Sequence, residues 1–253
     1  MKKIVAIVLC LCMAVCVFAG CGEKKDDSGK SFIIATDTVF KPFEYTDKDG
    51  NFVGIDVDIL AAVAKDQGFT YELKSLGWDA AIAACQAGTA DAMIAGASIT
   101  DERKENGWTF SDGYYTATQS MTVKKDSDIK GFEDLKGKTV AVKNGTMGET
   151  YAKSLKDKYG FKITVFEDSP TMYQAVTGGQ VVACFEDTPI MITSIKDNGF
   201  DLKVLENTQN DGADYGVAIF KPEKKEFLDL FNKGLANIKA SGEYDKIIAK
   251  YLG

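Results

Sequence analysis

The sequence contains no histidine, and this absence excludes several kinds of site at once. A histidine-ligated metal centre needs an imidazole, and so does Ser-His-Asp or Cys-His catalysis. Arginine is almost absent as well, because every basic residue except Arg103 is a lysine. The planar fork of donors that a guanidinium offers is therefore concentrated at one position. We expect no metal site and no cofactor.

Basic residues are also fewer than acidic ones. The 253 residues include 30 lysines and arginines against 37 acids, for a formal charge of −7. The first twenty residues carry two lysines and no acid, so the rest of the chain is more acidic still. Nucleic acids need a basic face, so we expect no nucleic-acid partner. The length is sufficient for one large domain or for two lobes that each have a core.

The N-terminus has the features of a targeting signal. Lys2 and Lys3 precede an apolar run from Ile4 to Val17, and Ala19-Gly20-Cys21 follows. This order resembles the bacterial lipoprotein signal, in which the cysteine, here Cys21, becomes the lipidated first residue. An uncleaved membrane helix is the alternative, because the apolar run is nearly long enough to span a bilayer. The small residues before Cys21 favour the lipoprotein, with residues 1–20 as signal peptide.

A polar stretch and few cysteines follow the signal. Residues 21–30 are almost all polar or glycine, which predicts a flexible tether. Beyond the tether only Cys85 and Cys184 remain, each in an apolar run. We expect both to be small buried hydrophobes and to form no disulfide, because we place them in different lobes.

The residues around Arg103 form a candidate anion site. An apolar run, Ala92 to Ala95, predicts a buried strand, and the following Ser98 and Thr100 are typical of a helix start. Backbone N–H groups at a helix N-terminus together with a guanidinium predict binding of a carboxylate or phosphate. Alternatively, Arg103 pairs with neighbouring acids on a solvated face, namely Asp101, Glu102 or Glu105.

A repeated rhythm predicts two α/β lobes. A helix, a glycine, a buried strand and a polar turn occur once before Arg103 and again before Asp187. In the first half, a strand from Ser31 to Thr36 ends in Asp37, where open α/β sheets place ligands. The pattern also predicts that Asp56 caps a helix. Asp187 is either an ordinary helix cap or a ligand group.

Several motifs together resemble a known family, the extracytoplasmic amino-acid receptors of ABC importers, and among these the glutamine receptors most closely. The motifs are Ala35-Thr36-Asp37-Thr38, Pro42-Phe43-Glu44-Tyr45, Gly54-Ile55-Asp56-Val57-Asp58, Ile99-Thr100-Asp101-Glu102-Arg103, Phe110-Ser111-Asp112-Gly113-Tyr114-Tyr115, Asp134-Leu135-Lys136-Gly137-Lys138 and Glu186-Asp187-Thr188-Pro189. The resemblance implies the type II periplasmic-binding-protein fold: an α/β fold of two lobes joined by two hinge strands. Lobe 1 would comprise residues 31–116 plus 215–253, and lobe 2 residues 117–214, with the C-terminal helices returning to lobe 1.

The resemblance also implies how the cleft between the lobes would hold one amino acid. Arg103 would bind the α-carboxylate and Asp187 the α-ammonium. Phe40 and Trp78 would enclose the ligand side chain, and Asp37 would contact its polar tip. Gly96, Ser98 and Thr146 would assist, partly through backbone N–H groups. From the residues alone, Trp78 is better interpreted as a core residue, since Ile82 and Cys85 share its helix face.

One departure from the glutamine-receptor pattern bears on the ligand. Glu186 stands where that pattern has a histidine beside the ammonium-binding acid. If Glu186 pairs with Lys143, the side-chain pocket keeps only Asp37, which suits the amide of glutamine. If Glu186 points into the cleft, Asp37 and Glu186 together favour lysine or arginine. We expect glutamine, with a basic amino acid as the alternative.

The resulting hypothesis is a non-catalytic receptor. It would be a monomer on the outer face of the bacterial cell membrane, anchored through lipid on Cys21, and it would deliver its free L-amino acid to ABC importer permease subunits. An enzyme is the remote alternative, because dehydratases occur on this fold and Glu186 beside Asp187 is a candidate acid pair. A sensor domain that works through a separate signalling partner is a third class.

Overall fold

The computed structural model describes residues 29–252. The predicted signal peptide, Cys21 and most of the predicted tether lie outside the described residues. The strands are β1 (Ser31–Thr36), β2 (Tyr45–Thr46), β3 (Phe52–Val53), β4 (Thr70–Ser75), β5 (Ala92–Met93), β6 (Thr109–Phe110), β7 (Tyr115–Ala117), β8 (Gln119–Lys124), β9 (Thr139–Lys143), β10 (Lys162–Phe166), β11 (Ala183–Asp187), β12 (Leu202–Leu205), β13 (Ala213–Tyr215) and β14 (Ala218–Ile219). The α-helices are α1 (Ile55–Gln67), α2 (Trp78–Ala87), α3 (Asp101–Glu105), α4 (Met147–Tyr159), α5 (Ser169–Thr177), α6 (Thr188–Asn198), α7 (Lys225–Ala240) and α8 (Glu243–Leu252).

Two five-stranded sheets form the centres of two lobes, as predicted. The first has the order β4-β1-β5-β14-β6, and the second the order β10-β9-β11-β8-β12. Three strands run parallel in each sheet, β1, β4 and β5 in the first and β9, β10 and β11 in the second. The strand that follows a hinge strand, β14 in the first sheet and β8 in the second, is antiparallel to its neighbours. Parallel strands direct their carboxyl ends to one edge, so β1 in the first sheet and β9 and β11 in the second can present polar residues to a shared cleft.

The two segments that join the sheets run side by side. β7 and β13 form their own antiparallel ribbon, in which Tyr115 pairs with Tyr215 and Ala117 with Ala213. This confirms two hinge strands. The chain boundaries of lobe 1 and lobe 2 remain a proposal, and we use the predicted ranges as working definitions of the two names.

The lobes have separate apolar cores, and the C-terminal helices belong to that of lobe 1. Helices α7 and α8 both pack on α1. Leu228, Phe231 and Leu235 of α7 are buried in the same cluster as Ile59 and Val63 of α1. The apolar face of α7 therefore helps to cover the sheet of lobe 1, which begins with β1 about two hundred residues earlier in the chain.

Two local predictions need correction, and the one about the cysteines is confirmed. The strand predicted from Ala92 to Ala95 is limited to β5, although all four residues are buried. Asp56 does not cap α1, because Gly54 occupies the N-cap position and the Asp56 carboxylate is bonded elsewhere. Cys85 and Cys184 are buried thiols in different clusters. No helix between residues 29 and 252 has both the length and the apolar character needed to cross a bilayer.

Candidate functional site

A narrow cleft lies between the lobes, at the carboxyl ends of β1, β9 and β11. All ten residues that the sequence analysis singled out line it. They are Asp37, Phe40, Trp78, Gly96, Ser98, Arg103, Lys143, Thr146, Glu186 and Asp187, and Ala95 and Met147 complete the wall. The structure thus brings these residues together, and their contacts with a ligand stay a prediction.

Arg103 reaches across the cleft and does not turn to solvent. Its Nη1 donates to the Ser98 carbonyl at 2.9 Å, and its Nη2 donates to the Gly145 carbonyl of lobe 2 at 3.2 Å. Within residues 29–252 the guanidinium takes part in no ion pair, so the predicted alternative of surface pairing with neighbouring acids is wrong. Because a guanidinium has five N–H donors, these two bonds leave donors for a carboxylate.

Two indole rings hold the guanidinium in place. The Arg103 Cζ atom lies 5.2 Å from the ring centroid of Trp78 and 5.0 Å from that of Trp108. Burial lowers the pKa of Arg103 to about 10, although Asp187 opposes the shift, so the side chain stays charged at neutral pH. Trp108 was missed by the sequence analysis. The signal that could have found it is that both tryptophans of the chain flank the single arginine.

The helix-dipole part of the anion-site prediction loses most of its basis. Helix α3 has only five residues, and Arg103 is the third of them. Thr100 is the N-cap, and its Oγ1 accepts the Arg103 backbone N–H at 3.2 Å. The cationic character of this wall therefore comes from the guanidinium itself, since a single turn sums few peptide dipoles.

Asp187 is a buried carboxylate that a hinge residue and a lobe 2 residue hold. Its Oδ1 accepts a hydrogen bond of 2.6 Å from Gln119 Nε2, and its Oδ2 accepts the hydroxyl of Tyr215. Burial raises the pKa of Asp187, while Tyr215, Gln119 and Arg103 oppose the rise. Asp187 occupies the N-cap position of α6, as the helix-cap alternative predicts, but its side chain makes no capping hydrogen bond. Tyr215 and Gln119 were also missed, because only the register of β13 and β8 places them here.

Lys143 and Asp37 form an ion pair across the cleft. The Lys143 ammonium donates to Asp37 Oδ2, and both side chains are almost fully buried. The same ammonium lies 5.6 Å from the ring centroid of Phe40. Burial alone would lower the pKa of Lys143, but the nearby Asp37 outweighs it and the net pKa is raised. The predicted pairing of Lys143 with Glu186 is therefore wrong, because Asp37 takes the ammonium.

Glu186 lines the cleft but is held from behind. Its Oε2 accepts Ser169 Oγ at 2.7 Å and the Tyr173 hydroxyl at 3.2 Å, while its Oε1 accepts the Asp187 backbone N–H at 3.0 Å. Burial, followed by the charge of Asp187, raises the pKa of Glu186 to about 7. Near neutral pH, the Glu186 carboxyl group is therefore protonated in part of the molecules and ionised in the rest.

The remaining predicted residues shape the walls. Gly96 directs its backbone N–H away from the cleft to Asp56 Oδ2, at 2.9 Å, so the prediction that this N–H assists the ligand is wrong. A Cβ atom at Gly96 would lie 2.5 Å from the Phe40 ring, and the φ of +54° also favours glycine. Thr146 uses its hydroxyl at the N-cap of α4. Trp78 belongs to a buried cluster, as its core alternative predicts, and it also lines the cleft, so its contact with the ligand side chain stays a prediction.

Direct bonds between the lobes keep the cleft narrow. Asn144 Nδ2 donates to Asp79 Oδ2 at 2.8 Å, and Lys41 Nζ lies 2.6 Å from Asp197 Oδ2 at the opposite rim. Gly145 approaches Trp78 so closely that a Cβ atom there would lie 3.1 Å from the indole nitrogen. The arrangement is a closed one, in which residues from both lobes surround the same small space.

Comparison with known proteins places this architecture. The chain is 33% identical to a probable histidine-binding protein of Neisseria gonorrhoeae, over 99% of this chain and 96% of the relative. It is 39% identical to the second substrate-binding domain of GlnP from Lactococcus lactis in its open conformation, with 88% and 95% of the chains covered and a TM-score of 0.62. An ancestral arginine-binding protein has been solved with arginine and with glutamine, at 36% and 37% identity, with 88% and 98% coverage and a TM-score of 0.81 in both cases.

The TM-score is higher for the two ligand-bound structures than for the open GlnP domain, which agrees with the narrow cleft of this protein. The model of the bacterial extracellular solute-binding proteins of family 3 matches residues 32–253. The solved relatives share the two sheet-containing lobes of the type II periplasmic-binding-protein fold. The chain therefore belongs to family 3 of the bacterial extracellular solute-binding proteins and is an amino-acid-binding receptor of the kind that serves ABC importers.

Proposed function

We propose that this receptor captures glutamine between its lobes and delivers it to the permease of an ABC importer. The observation that carries the proposal is the buried ion pair of Lys143 with Asp37 at one end of the cleft. An ammonium beside a carboxylate presents donors and an acceptor side by side. A primary amide has the complementary pair, because its carbonyl accepts and its NH2 group donates.

The other end of the cleft suits the fixed charges of any amino acid. Arg103 offers the N–H donors that a carboxylate accepts, and Asp187 offers a carboxylate for an α-ammonium. The two groups belong to different lobes, so a zwitterion touches both only when the cleft is closed. Such a ligand supplies the differential contacts that favour the closed state over the open one.

A basic amino acid is the second candidate, and Glu186 is the observation that favours it. This carboxyl group lines the cleft and lacks a paired cation, because Lys143 is bonded to Asp37. In its ionised form it would attract a ligand ammonium or guanidinium. The relatives named for histidine and arginine agree with this candidate, and the ancestral arginine-binding protein has been solved with glutamine, the first candidate, as well as with arginine. Against this candidate, the cationic side chain of the ligand would approach the Lys143 ammonium and be repelled by it.

The proposal includes a lipid anchor on Cys21 after removal of residues 1–20, a monomeric receptor and no catalytic step. Glu186 and Asp187 are adjacent acids, but each is held by hydrogen bonds that orient it for binding. Labelling with an alkyne fatty acid in a bacterial host would test the anchor. We expect incorporation into the full-length chain and none into Cys21→Ser.

A thermal-shift screen against the common amino acids, with the signal peptide removed, tests the ligand. A ligand at a hundred times its dissociation constant stabilises its receptor by about 2.7 kcal/mol. We expect glutamine to give the largest shift near pH 7. A larger shift with arginine, lysine or histidine would replace glutamine by the second candidate, and turnover of a prephenate-type substrate would revive the enzyme.

A further inference from the structure

Two family motifs of the sequence, those around Glu44 and Asp56, contribute no residue to the cleft wall. Both side chains are fully buried in lobe 1, directly behind Gly96. Read as carboxylates, they are poorly satisfied: Glu44 Oε1, Glu44 Oε2 and Asp56 Oδ1 have no hydrogen-bond donor. Unsatisfied buried carboxylate oxygens are costly and need an explanation.

The chain brings the two acids together through a tight backbone approach. Asp56 N donates to the Phe43 carbonyl at 3.0 Å, and Ile55 N donates to the Pro42 carbonyl at 3.0 Å. Gly54 permits this, because a Cβ atom there would lie 2.0 Å from the Phe43 oxygen. The carboxyl groups of Glu44 and Asp56 lie within hydrogen-bonding reach of each other as a result.

Two adjacent buried negative charges would repel one another without a counter-ion. The nearest cation is Lys143, which is already bonded to Asp37, and Asp37 adds further negative charge. The Tyr114 hydroxyl and the Gly96 N–H, both at 2.9 Å, donate to Asp56 Oδ2 and stabilise its ionised form. Nothing comparable stabilises Glu44, so burial and then Asp56 raise the pKa of Glu44 well above its usual value. One proton on Glu44 resolves the conflict, since a carboxylic acid can donate to the neighbouring carboxylate.

We propose that Glu44 and Asp56 share one proton at neutral pH, and that this pair is a positioning device for the carboxylate-binding end of the cleft. The proton fixes the Asp56 carboxylate, and Asp56 fixes the Gly96 backbone. Two residues further on, the Ser98 carbonyl accepts from Arg103. Glu44 also accepts the Phe40 backbone N–H at its carbonyl, at 2.7 Å, so the same pair supports the aromatic wall.

Infrared spectroscopy of the ligand-free protein tests the proton directly. The measurement is made at about pH 7 with Glu186→Gln as the parent of every variant, because the pKa of Glu186 is about 7 and its own carbonyl band would overlap. The carbonyl band of a protonated carboxyl group then reports Glu44. We expect this band in the parent and after the further change Glu72→Gln, a control at an exposed glutamate. We expect its loss after the further change Glu44→Gln. A parent without the band, or a band that survives Glu44→Gln, would overturn the shared proton.

The positioning role rests on the proposed function, and a pair of variants tests it through ligand affinity. Glu44→Gln keeps a donor for Asp56, whereas Glu44→Met has a similar length and no donor. We expect the dissociation constant of the best amino acid from the screen to rise by at least tenfold from Gln to Met, the factor for about 1.4 kcal/mol. Equal constants for the two variants would overturn the positioning role.

These two readouts separate the proposals. If the wild type binds no amino acid, the receptor function fails while the infrared band still decides the proton. If Glu44→Met does not fold, Glu44→Gln is compared with Asp56→Asn instead, and we expect the Asn variant to bind more weakly. Equal affinity of Glu44→Gln and Asp56→Asn would then overturn the positioning role.

Discussion

The two ends of the cleft treat their cations differently. At one end, Arg103 donates to two backbone carbonyls and lies beside two indole rings, and within residues 29–252 it is bonded to no carboxylate. At the other, the Lys143 ammonium is bonded to Asp37. At the first end the guanidinium keeps donors that suit a carboxylate, with Asp187 near it for an ammonium, whereas the second end is neutral as a pair and suits an uncharged polar group. The difference indicates that recognition of the common amino-acid backbone and discrimination among side chains are separated in space.

Of the changes to the two ends of the cleft, we expect the removal of Arg103 to weaken ligand binding most. We expect Arg103→Ala to weaken ligand binding by roughly 3–5 kcal/mol, because a ligand carboxylate would be buried without its cation. Isothermal titration calorimetry measures the change. Lys104→Ala is the matched control, since this neighbouring cation is exposed and pairs with Asp101. Unchanged affinity in Arg103→Ala would remove the guanidinium from the site.

The neutral end should show a pH dependence through Glu186. Burial, then Asp187, raises its pKa from 4.5 to about 7, so the folded state holds a proton that the unfolded state releases. Stability is therefore greatest below the unfolded value and falls as pH rises toward about 7, by up to about 3 kcal/mol. Urea unfolding at several pH values should show a shallower fall for Glu186→Gln than for wild type. Glu72→Gln should follow the wild-type curve, and identical slopes for Glu186→Gln and wild type would contradict the raised pKa.

Replacing Lys143 should leave a negative charge, that of Asp37, at the end of the cleft that is neutral in the wild type. In Lys143→Gln the Asp37 carboxylate loses its partner, so we expect glutamine affinity to fall by about 2 kcal/mol, the scale of a hydrogen bond to a charged group. Affinity for arginine or lysine should rise over the same change. Calorimetry with both ligands measures the crossover, with Lys153→Gln as the exposed control. A parallel loss for neutral and basic ligands would mean that the pair does not set specificity.

The smallest effect should come from the contact that closes the cleft beside Arg103. Gly145 has a φ of +66°, and a Cβ there would lie 3.1 Å from the Trp78 indole nitrogen of the other lobe. Gly137 has a similar φ of +73° with nothing within 4 Å. We expect both alanine variants to lose about 1 kcal/mol of stability from backbone strain. Only Gly145→Ala should also bind ligand more weakly, and equal affinities would show that closure tolerates the methyl group.

Much of the site could be predicted because local signals and family motifs coincided. Arg103 was conspicuous as the single arginine, and Asp37 as an acid that ends a buried strand. Trp108, Tyr215 and Gln119 were not predicted, because their roles depend on packing and strand register. The prediction that Lys143 pairs with Glu186 was wrong for a similar reason. From the sequence, Glu186 was the partner considered for Lys143, and only the approach of the two lobes placed Asp37 at the ammonium.

The sequence by itself determined the two-lobed α/β plan, because apolar periodicity and turn residues are local properties of the chain, and its resemblance to a known family supplied the set of residues around the cleft. The tertiary structure alone decided which charges are compensated. Ion pairs such as Lys143 with Asp37 join residues more than a hundred positions apart. Their formation depends on distance and burial, which no local pattern encodes, and so does the protonation of Glu44 and Glu186.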